Sequence, residues 1–213
     1  MRAVIFANGD LPEPELAKRI IQPGDLLIAA DGGARHCAHL GLVPHVAVGD
    51  FDSLSADELD MLRARGVEIV EYPPRKDFTD LELALHAAQE RGCDLLLVFA
   101  ALGQRWDQTL ANLLLPASAG LEGITIRLIA ANQEITLLRP GSQATLHGQA
   151  GDTLSLIPLA GDAHGITTRG LEYSLQGETL HFGTTRGVSN ILLGSEAQVF
   201  FEDGLLLCTV IHC

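Results

Sequence analysis

The sequence predicts an α/β domain built on a Rossmann-like parallel sheet over residues 1–130, followed by an all-β sandwich over residues 131–213. Three observations carry that assignment. Up to residue 130, short apolar runs alternate with amphipathic stretches of helical period, as in βαβ units around a sheet covered on both faces. Beyond residue 131 the helical period stops, and β-rich runs are broken by turn residues such as Pro140-Gly141, Gly151-Asp152, Gly161-Asp162 and Asp203-Gly204. The composition, 47% hydrophobic and 19% charged over 213 residues, supplies enough apolar side chain for one large core or two small ones.

Taken in order, the candidate strands of the first domain are Ala3–Ala7, Leu26–Ala30, His45–Val48, Glu68–Glu71, Asp94–Ala100 and Ile124–Ile129. Each is a short aliphatic run bounded by polar or turn residues. Between them, apolar side chains recur at helical spacing over Glu13–Ile21, Ala34–Leu40, Ala56–Arg65, Asp80–Arg91 and Trp106–Ser118. In the second domain, Phe200–Val210 has the pattern of a β-hairpin with Asp203-Gly204 as its two-residue turn. The short linker implies two domains that pack rather than swing.

Charge narrows the function. Fourteen Lys and Arg against 27 Asp and Glu leave a net charge of −13, which repels nucleic acid and anionic membranes. If the substrate is itself a polyanion, some acids must hold cations. No apolar run reaches the roughly 18 residues of a membrane helix. The apolar start stops at Asn8-Gly9-Asp10, too short for a signal peptide's core. Cys37, Cys93, Cys208 and Cys213 form no C-x-x-C pair, as expected of reduced thiols in a cytoplasmic protein. His36 and His39 flank Cys37 without a convincing fourth zinc ligand and read as a helix surface.

No G-x-x-x-x-G-K-[ST], G-x-G-x-x-G or G-x-S-x-G motif follows a strand. The informative residues are acids at strand ends, where ligands of open parallel sheets bind. The second strand runs into Asp31-Gly32-Gly33, whose glycines permit close approach of a ligand, while Asp31 could equally cap the helix that follows. The third runs into Gly49-Asp50-Phe51-Asp52-Ser53. In an extended chain Asp50 and Asp52 point the same way, and two such carboxylates invite a cation, unless Asp52 merely caps the next helix. The fourth leads to Lys76-Asp77-Phe78-Thr79-Asp80, with a helix expected from Asp77, so that Asp77 and Asp80 share a first-turn face or serve as caps. The fifth leads to Gly103, Arg105, Trp106, Asp107 and Gln108. Arg105 suits phosphate, and the sole tryptophan, Trp106, reads as a packing residue. Four acidic strand ends together describe one metal-and-polyphosphate site, and hard oxygen donors suit Mg²⁺.

Five motifs in order resemble the thiamine pyrophosphokinase family: ADGGA at 30–34, GDFDS at 49–53, KDFTDLELAL at 76–85, GQRWDQ at 103–108, and TTRGLEYSL with FGTTRGVSN at 167–175 and 182–190. The resemblance spans nearly the whole chain. It implies an enzyme that transfers pyrophosphate from ATP to the hydroxyl of thiamine with Mg²⁺, releasing AMP, as a homodimer with shared active sites. It further implies Asp50, Asp52 and Asp80 as metal ligands, with Asp31 and Asp77 close by. For such a transfer one acid of the cluster, Asp77 or Asp80, is a candidate to take the hydroxyl proton, and the sequence does not say which. Gly32 and Gly33 would lie with Asp31 at the ATP site, and Gly103, Arg105, Asp107 and Gln108 would handle ATP. Ser189, Asn190 and Tyr173 would hold thiamine. Gln108 stands where many bacterial members have His, and Tyr173 where some carry Trp. Two rivals stand beside this reading. One is a pyrophosphokinase of the same scaffold acting on another alcohol, such as a hydroxymethylpterin, and the other is a non-catalytic sensor of nucleotide or thiamine phosphate.

Overall fold

The computed structural model describes residues 1–103 and 105–213. The chain divides into two compact units, Met1–Ala131 and Asn132–Cys213. In the first, β1 (Arg2–Phe6), β2 (Leu26–Ala30), β3 (Val46–Gly49), β4 (Glu68–Glu71), β5 (Leu95–Phe99) and β6 (Thr125–Ala130) are the strands. They pair in parallel in the order β6-β5-β1-β2-β3-β4. Between them run α1 (Pro14–Ile20), α2 (Gly33–His39), α3 (Ala56–Ala64), α4 (Asp80–Glu90) and α5 (Trp106–Leu114).

The centre of the sheet is apolar on both faces because β1, β2, β3 and β5 are nearly continuous apolar runs. Val4, Phe6, Leu27, Ala29, Ala47, Leu97 and Phe99 face a core shared with Ala17, Ala34 and Cys37 of α1 and α2. The alternate residues Ile5, Ile28 and Val98 are equally buried, and α4 lies against β2 and β3 with Ala84, Leu85 and Ala88 buried. The chain builds outward from β1 to β4 and then returns to β1's other side with β5. That reversal opens a crevice at the carboxyl ends of the strands, the usual ligand position in such sheets.

α5 departs from the expected pattern. Thr109 is its one buried residue, while Trp106, Leu110 and Leu114, one turn apart, stay exposed. Trp106 is 81% exposed, so the packing role expected for it does not hold: its helix has almost no buried face to pack with.

The second unit has two antiparallel sheets. β7 (Gln133–Leu138), β9 (Thr153–Pro158), β12 (Asn190–Ile191) and β14 (Leu206–Ile211) pair in the order β12-β9-β14-β7. β8 (Ala144–His147), β10 (Ala163–Arg169), β11 (Gln176–Leu180) and β13 (Glu196–Phe200) pair in the order β11-β10-β13-β8. Leu154, Leu156, Leu206, Cys208 and Val210 of one sheet share a core with Leu146, Ile166, Leu180, Ala197 and Val199 of the other.

The expected hairpin at Phe200–Val210 is not one. β13 pairs with β8 and β10, whereas β14 pairs with β7 and β9, so the segment crosses from one sheet to the other. Phe201 is fully buried at the crossing, and Gly204, with φ of 99°, passes so close to Asp162 that a Cβ would stand 2.7 Å from its carbonyl oxygen. An Asp-Gly pair supplies the positive φ of a sheet-to-sheet corner as readily as that of a hairpin turn.

Candidate active site

The carboxyl ends of the strands surround a cleft of about 880 Å³. Its wall includes Asn8 and Asp10 after β1, Asp31 after β2, Asp50, Asp52 and Ser53 after β3, Thr79 and Asp80 at the start of α4, and Gly103, Arg105, Asp107, Gln108, Thr109 and Asn112 beyond β5. Three non-glycine residues at these ends hold positive φ: Asp31 at 47°, Phe51 at 58° and Ala100 at 55°. Such backbone costs of order 1–3 kcal/mol per residue and persists where the surrounding structure fixes it.

Asp31 is 4% exposed. Its Oδ2 accepts from Ser53 Oγ at 2.5 Å and from Asn8 Nδ2 at 3.3 Å. Its Oδ1 is buried with no hydrogen-bond partner among the described residues. The side chain does not cap α2, whose N-cap is Gly32 without a side-chain bond. Gly32 and Gly33 are buried and serve the chain's own packing: a Cβ on Gly33 would stand 1.9 Å from the Phe6 carbonyl oxygen, and one on Gly32 2.1 Å from Asn8 Oδ1. They permit the close approach of Phe6 in β1 and of the Asn8 side chain after it.

Asp50 and Asp52 do converge, but not through an extended strand. Phe51 between them is left-handed and buried in the core, which turns both carboxylates to the cleft side. One carboxylate oxygen each of Asp31, Asp50 and Asp52 lies within 4.8 Å of the others. Asp52 is not a helix cap either, since Ser55 and Glu58 close a capping box on α3. Three hard oxygen donors converging beside an unsatisfied buried carboxylate oxygen fit a small divalent cation such as Mg²⁺.

Asp80 begins α4 behind the N-cap Thr79, whose hydroxyl accepts from Glu82 N. Asp77 therefore lies before the helix, not in its first turn; it is exposed and is not among the cleft-lining residues. Asp80 reaches the cluster because Gly49 has no side chain: a Cβ there would stand 3.1 Å from Asp31 Cβ and 3.2 Å from Asp80 Oδ1. Lys76 Nζ stands 3.0 Å from Asp50 Oδ2 and 2.7 Å from Asp80 Oδ1. Burial works against the charge on Asp50, but the Lys76 ammonium and the Asp52 N–H outweigh it and hold its carboxyl below the usual range. At Asp80 burial prevails, with the Asp50 and Asp31 charges adding to it, and the carboxyl is pushed up despite Lys76.

Beyond β5, Gly103, Arg105, Asp107 and Gln108 line the same cleft. Arg105 is exposed and ion-pairs with Asp107, which lowers the Asp107 carboxyl and raises the guanidinium. In the second unit, Asn190 Oδ1 accepts from Tyr173 N at 3.0 Å and Ile191 N at 2.9 Å, while its Nδ2 donates to Tyr173 O at 2.7 Å. Tyr173 is exposed, and Ser189 holds φ of 62° with its N–H on Ser155 Oγ. Tyr173 and Asn190 are thus tied together within their own unit, with Ser189 preceding Asn190 in the chain.

Sequence reasoning missed Asn8, Asp10, Lys76, Thr79, Thr109 and Asn112. Thr109 Oγ1 bonds both N–H and C=O of Gly103, and Asn112 Nδ2 donates to Ala101 O at 2.6 Å, so α5 fastens the loop after β5. Asn8 and Asp10 stood at the end of the first strand, where the strand-end rule applies as it does to Asp31. Lys76 and Thr79 were inside a motif read for its acids alone.

An open parallel sheet with an acid-lined crevice at its switch point is the architecture of α/β proteins that bind a ligand beyond the carboxyl ends of their strands. Comparison with known proteins is specific. A family model described as thiamin pyrophosphokinase, catalytic domain, matches residues 17–128, and one described as thiamin pyrophosphokinase, vitamin B1 binding domain, matches residues 143–206. A thiamine pyrophosphokinase of Bacillus subtilis (strain 168) is 32% identical over 182 residues, 85% of each chain. Thiamine pyrophosphokinase 1 of Arabidopsis thaliana is 28% identical over 96% of this chain and 84% of its own. Crystal structures of thiamine pyrophosphokinase from Bacillus subtilis and of a family protein from Enterococcus faecalis superpose with TM-scores of 0.88 and 0.85, at 28% and 27% identity, covering 100% and 99% of both chains. This chain belongs to the thiamine pyrophosphokinase family. It is an enzyme, and its activity is that of a thiamine diphosphokinase.

Proposed function

We propose that the cleft binds ATP with Mg²⁺ and that the chain transfers pyrophosphate from ATP to the hydroxyl of thiamine, giving thiamine diphosphate and AMP. The observation that carries this is the convergence of Asp31, Asp50 and Asp52 around a buried, unpartnered carboxylate oxygen. These residues hold the metal in this proposal, and Asp80, the third ligand implied by resemblance, is held by Lys76. A bound Mg²⁺ would neutralise phosphate charge. Phosphoryl transfers need positioning and charge stabilisation more than covalent help from the protein. Asn8 and Ser53 orient Asp31, while Thr109 and Asn112 fix the loop that carries Gly103. Arg105 and Gln108, on the cleft wall, serve the phosphates, and Asp107 holds the Arg105 fork in place. Of Asp77 and Asp80, Asp80 lines the cleft, and in this proposal it accepts the hydroxyl proton.

Thiamine recognition falls to Tyr173, Ser189 and Asn190 in the second unit. Asn190 acts through Tyr173, whose backbone it holds at both N–H and C=O. We further propose a cytoplasmic homodimer with each active site shared between subunits. Exposed apolar side chains on both units, Trp106, Leu110 and Leu114 on one and Tyr173, Phe182 and Leu193 on the other, supply surface for a partner. None of the four cysteines is in a disulfide, as suits a reducing compartment.

Purified protein with ATP and Mg²⁺ tests the substrate assignment. Thiamine is expected to release AMP and thiamine diphosphate in equal amounts, and a hydroxymethylpterin is expected to release none. AMP with the pterin alone, or ADP with thiamine monophosphate, would contradict the assignment.

A further inference from the structure

The sequence places His36 with His39 on the surface of α2. In the structure His39 is exposed, whereas His36 is half-buried and has a bond of its own. Its Nε2 stands 2.9 Å from the Gly9 carbonyl oxygen, in the loop after β1 and 27 residues earlier in the chain. A carbonyl oxygen only accepts, so the ring carries its proton on Nε2 and donates. Gly9 is fixed on its other side as well, because its N–H donates to Ala100 O, just after β5, at 2.8 Å. A Cβ at Gly9 would stand 2.5 Å from that oxygen and 3.0 Å from Leu102 O, so the loop lies pressed against the end of β5. Both backbone groups of one residue are thus engaged, one toward β5 and one toward α2. The loop they hold lines the cleft with Asn8, Gly9 and Asp10. Asn8 Nδ2 donates to Ser53 Oγ at 3.1 Å and to Asp31 Oδ2 at 3.3 Å. Across the crevice, Gly103 passes so near that a Cβ would stand 3.4 Å from Asp10 N.

We infer that His36 is a positioning residue of the cleft: it tethers the Gly9 peptide to α2, so that Asn8 reaches Asp31 and Ser53 on one wall and Asp10 stays against Gly103 on the other. This rests on the reading, proposed above, that the cleft takes ATP. The tether is needed because of what Gly9 is. Close approach to Ala100 and Leu102 demands glycine there, and glycine loses more conformational freedom on ordering than any other residue. A bond from outside the loop compensates for that freedom. α2 is suited to supply it, since the helix starts at Gly33, two residues after Asp31. One short helix therefore fixes both the acid and the loop whose asparagine bonds to it. His36 touches no reacting atom in this arrangement and acts on the substrate through Asn8 and Asp10.

The test uses the full chain as wild type, His36→Ala, His36→Gln, Asn8→Ala and the His36→Ala/Asn8→Ala double variant. Amide hydrogen exchange over residues 7–11 is followed by mass spectrometry, and steady-state kinetics are measured with ATP, Mg²⁺ and thiamine. In His36→Ala the segment is expected to exchange at least about tenfold faster, while the amides of β1 and β2 keep their wild-type rates. Its kcat/KM for ATP is expected to fall about tenfold or more, with the thiamine KM within about twofold of wild type. His36→Gln, whose amide places a donor at a similar reach, is expected to recover both properties to within about threefold of wild type. The double variant is expected to lose at least about threefold less than the product of the two single losses, because both substitutions act through one loop. Where His36→Ala does not fold, His36→Leu replaces it, filling the volume without the donor. Unchanged exchange over residues 7–11, a His36→Gln protein as impaired as His36→Ala, equal losses toward ATP and thiamine, or losses that simply multiply would each overturn the inference. Wild type that releases no AMP with thiamine, alongside the expected exchange pattern, would instead overturn the proposed function and leave the tether standing.

Discussion

Two buried aspartates, one in each unit, show what separates a structural carboxylate from a functional one. Asp152 is fully buried and fully bonded: Oδ1 accepts from Cys213 N at 3.0 Å, and Oδ2 from Gln149 N and His212 Nδ1, each at 2.9 Å. Asp31 is nearly as buried, but it holds positive φ and leaves Oδ1 without a partner among the described residues. A buried carboxylate oxygen without a donor is costly, so it persists where something else completes it. Asp152 ties the end of the chain to its own unit. Asp31 faces a cleft with two more acids turned toward it. The difference lies in bonding, since burial hardly distinguishes them.

The largest expected effect lies on the unsatisfied side. Asp52→Asn should lower kcat by two orders of magnitude or more, because an interaction made to the transferring group is lost. Its melting temperature should stay near wild type or rise, since one of several repelling charges is removed. Steady-state kinetics at saturating Mg²⁺ and a thermal melt decide this together. Activity within about threefold of wild type would take Asp52 out of the site.

The satisfied side should behave the other way round. Asp152→Asn breaks a buried, charge-assisted network and is expected to cost about 2–4 kcal/mol of stability by denaturant titration. Turnover per folded molecule should stay close to wild type. A loss of turnover without a loss of stability would erase the contrast between the two aspartates.

Between these lies Asn190. Asn190→Ala removes its three bonds to the Tyr173 and Ile191 backbone and should raise the thiamine KM about 5- to 150-fold, the range that follows from roughly 1–3 kcal/mol. The ATP KM should change far less. Equal rises in both constants would remove the thiamine assignment. If sites are shared, refolding Asp52→Asn with Asn190→Ala in equal amounts makes half the dimers mixed, each with one intact site, and activity should recover to about a quarter of wild type. No recovery with mixed dimers present would place each site within one chain.

The smallest effect is on acid stability. Asp152 and Asp25 both sit below the usual carboxyl range: burial opposes their charge, and the Cys213 N–H and His212 at Asp152, like Arg2 and the Gln22 N–H at Asp25, outweigh it. Their contribution is complete above the ordinary carboxyl value of about 3.9 and is lost as pH falls through the depressed folded values. Melting temperature should therefore be insensitive to these groups from about pH 5 to 8 and should fall below about pH 4. Asp152→Asn should blunt that fall, and a variant as acid-sensitive as wild type would contradict the assignment.

Much of this was legible in the sequence because it is local. Aliphatic runs and helical spacing located every strand and helix of the first unit to within a few residues. The acids at the ends of β2 and β3 were visible because a parallel sheet puts its strand ends on one edge. What escaped is nonlocal. Asp203-Gly204 carries the chemistry of a hairpin, and which sheet follows is settled by Phe201 packing and by Gly204 against Asp162. Asp77 was placed inside α4 because the acids on either side drew the reading, whereas Thr79, whose side chain accepts from Glu82 N, is the N-cap and leaves Asp77 before the helix. Trp106 has the composition of a core residue, and its exposure follows from how little of α5 is covered. The hold of the Asn190 amide on the backbone of Tyr173 joins residues seventeen apart in the sequence, so no local pattern announces it.

The contrast between the two aspartates is tested most directly by Mn²⁺ binding to three full-length proteins: wild type, Asp31→Asn and Asp152→Asn. Wild type is expected to bind one ion per chain. Asp31→Asn should bind at least about tenfold more weakly, since a charged oxygen donor is replaced by a neutral amide. Asp152→Asn, measured below its melting temperature, should bind as wild type does. An Asp31→Asn protein with the wild-type isotherm, or equal weakening in both variants, would contradict the account.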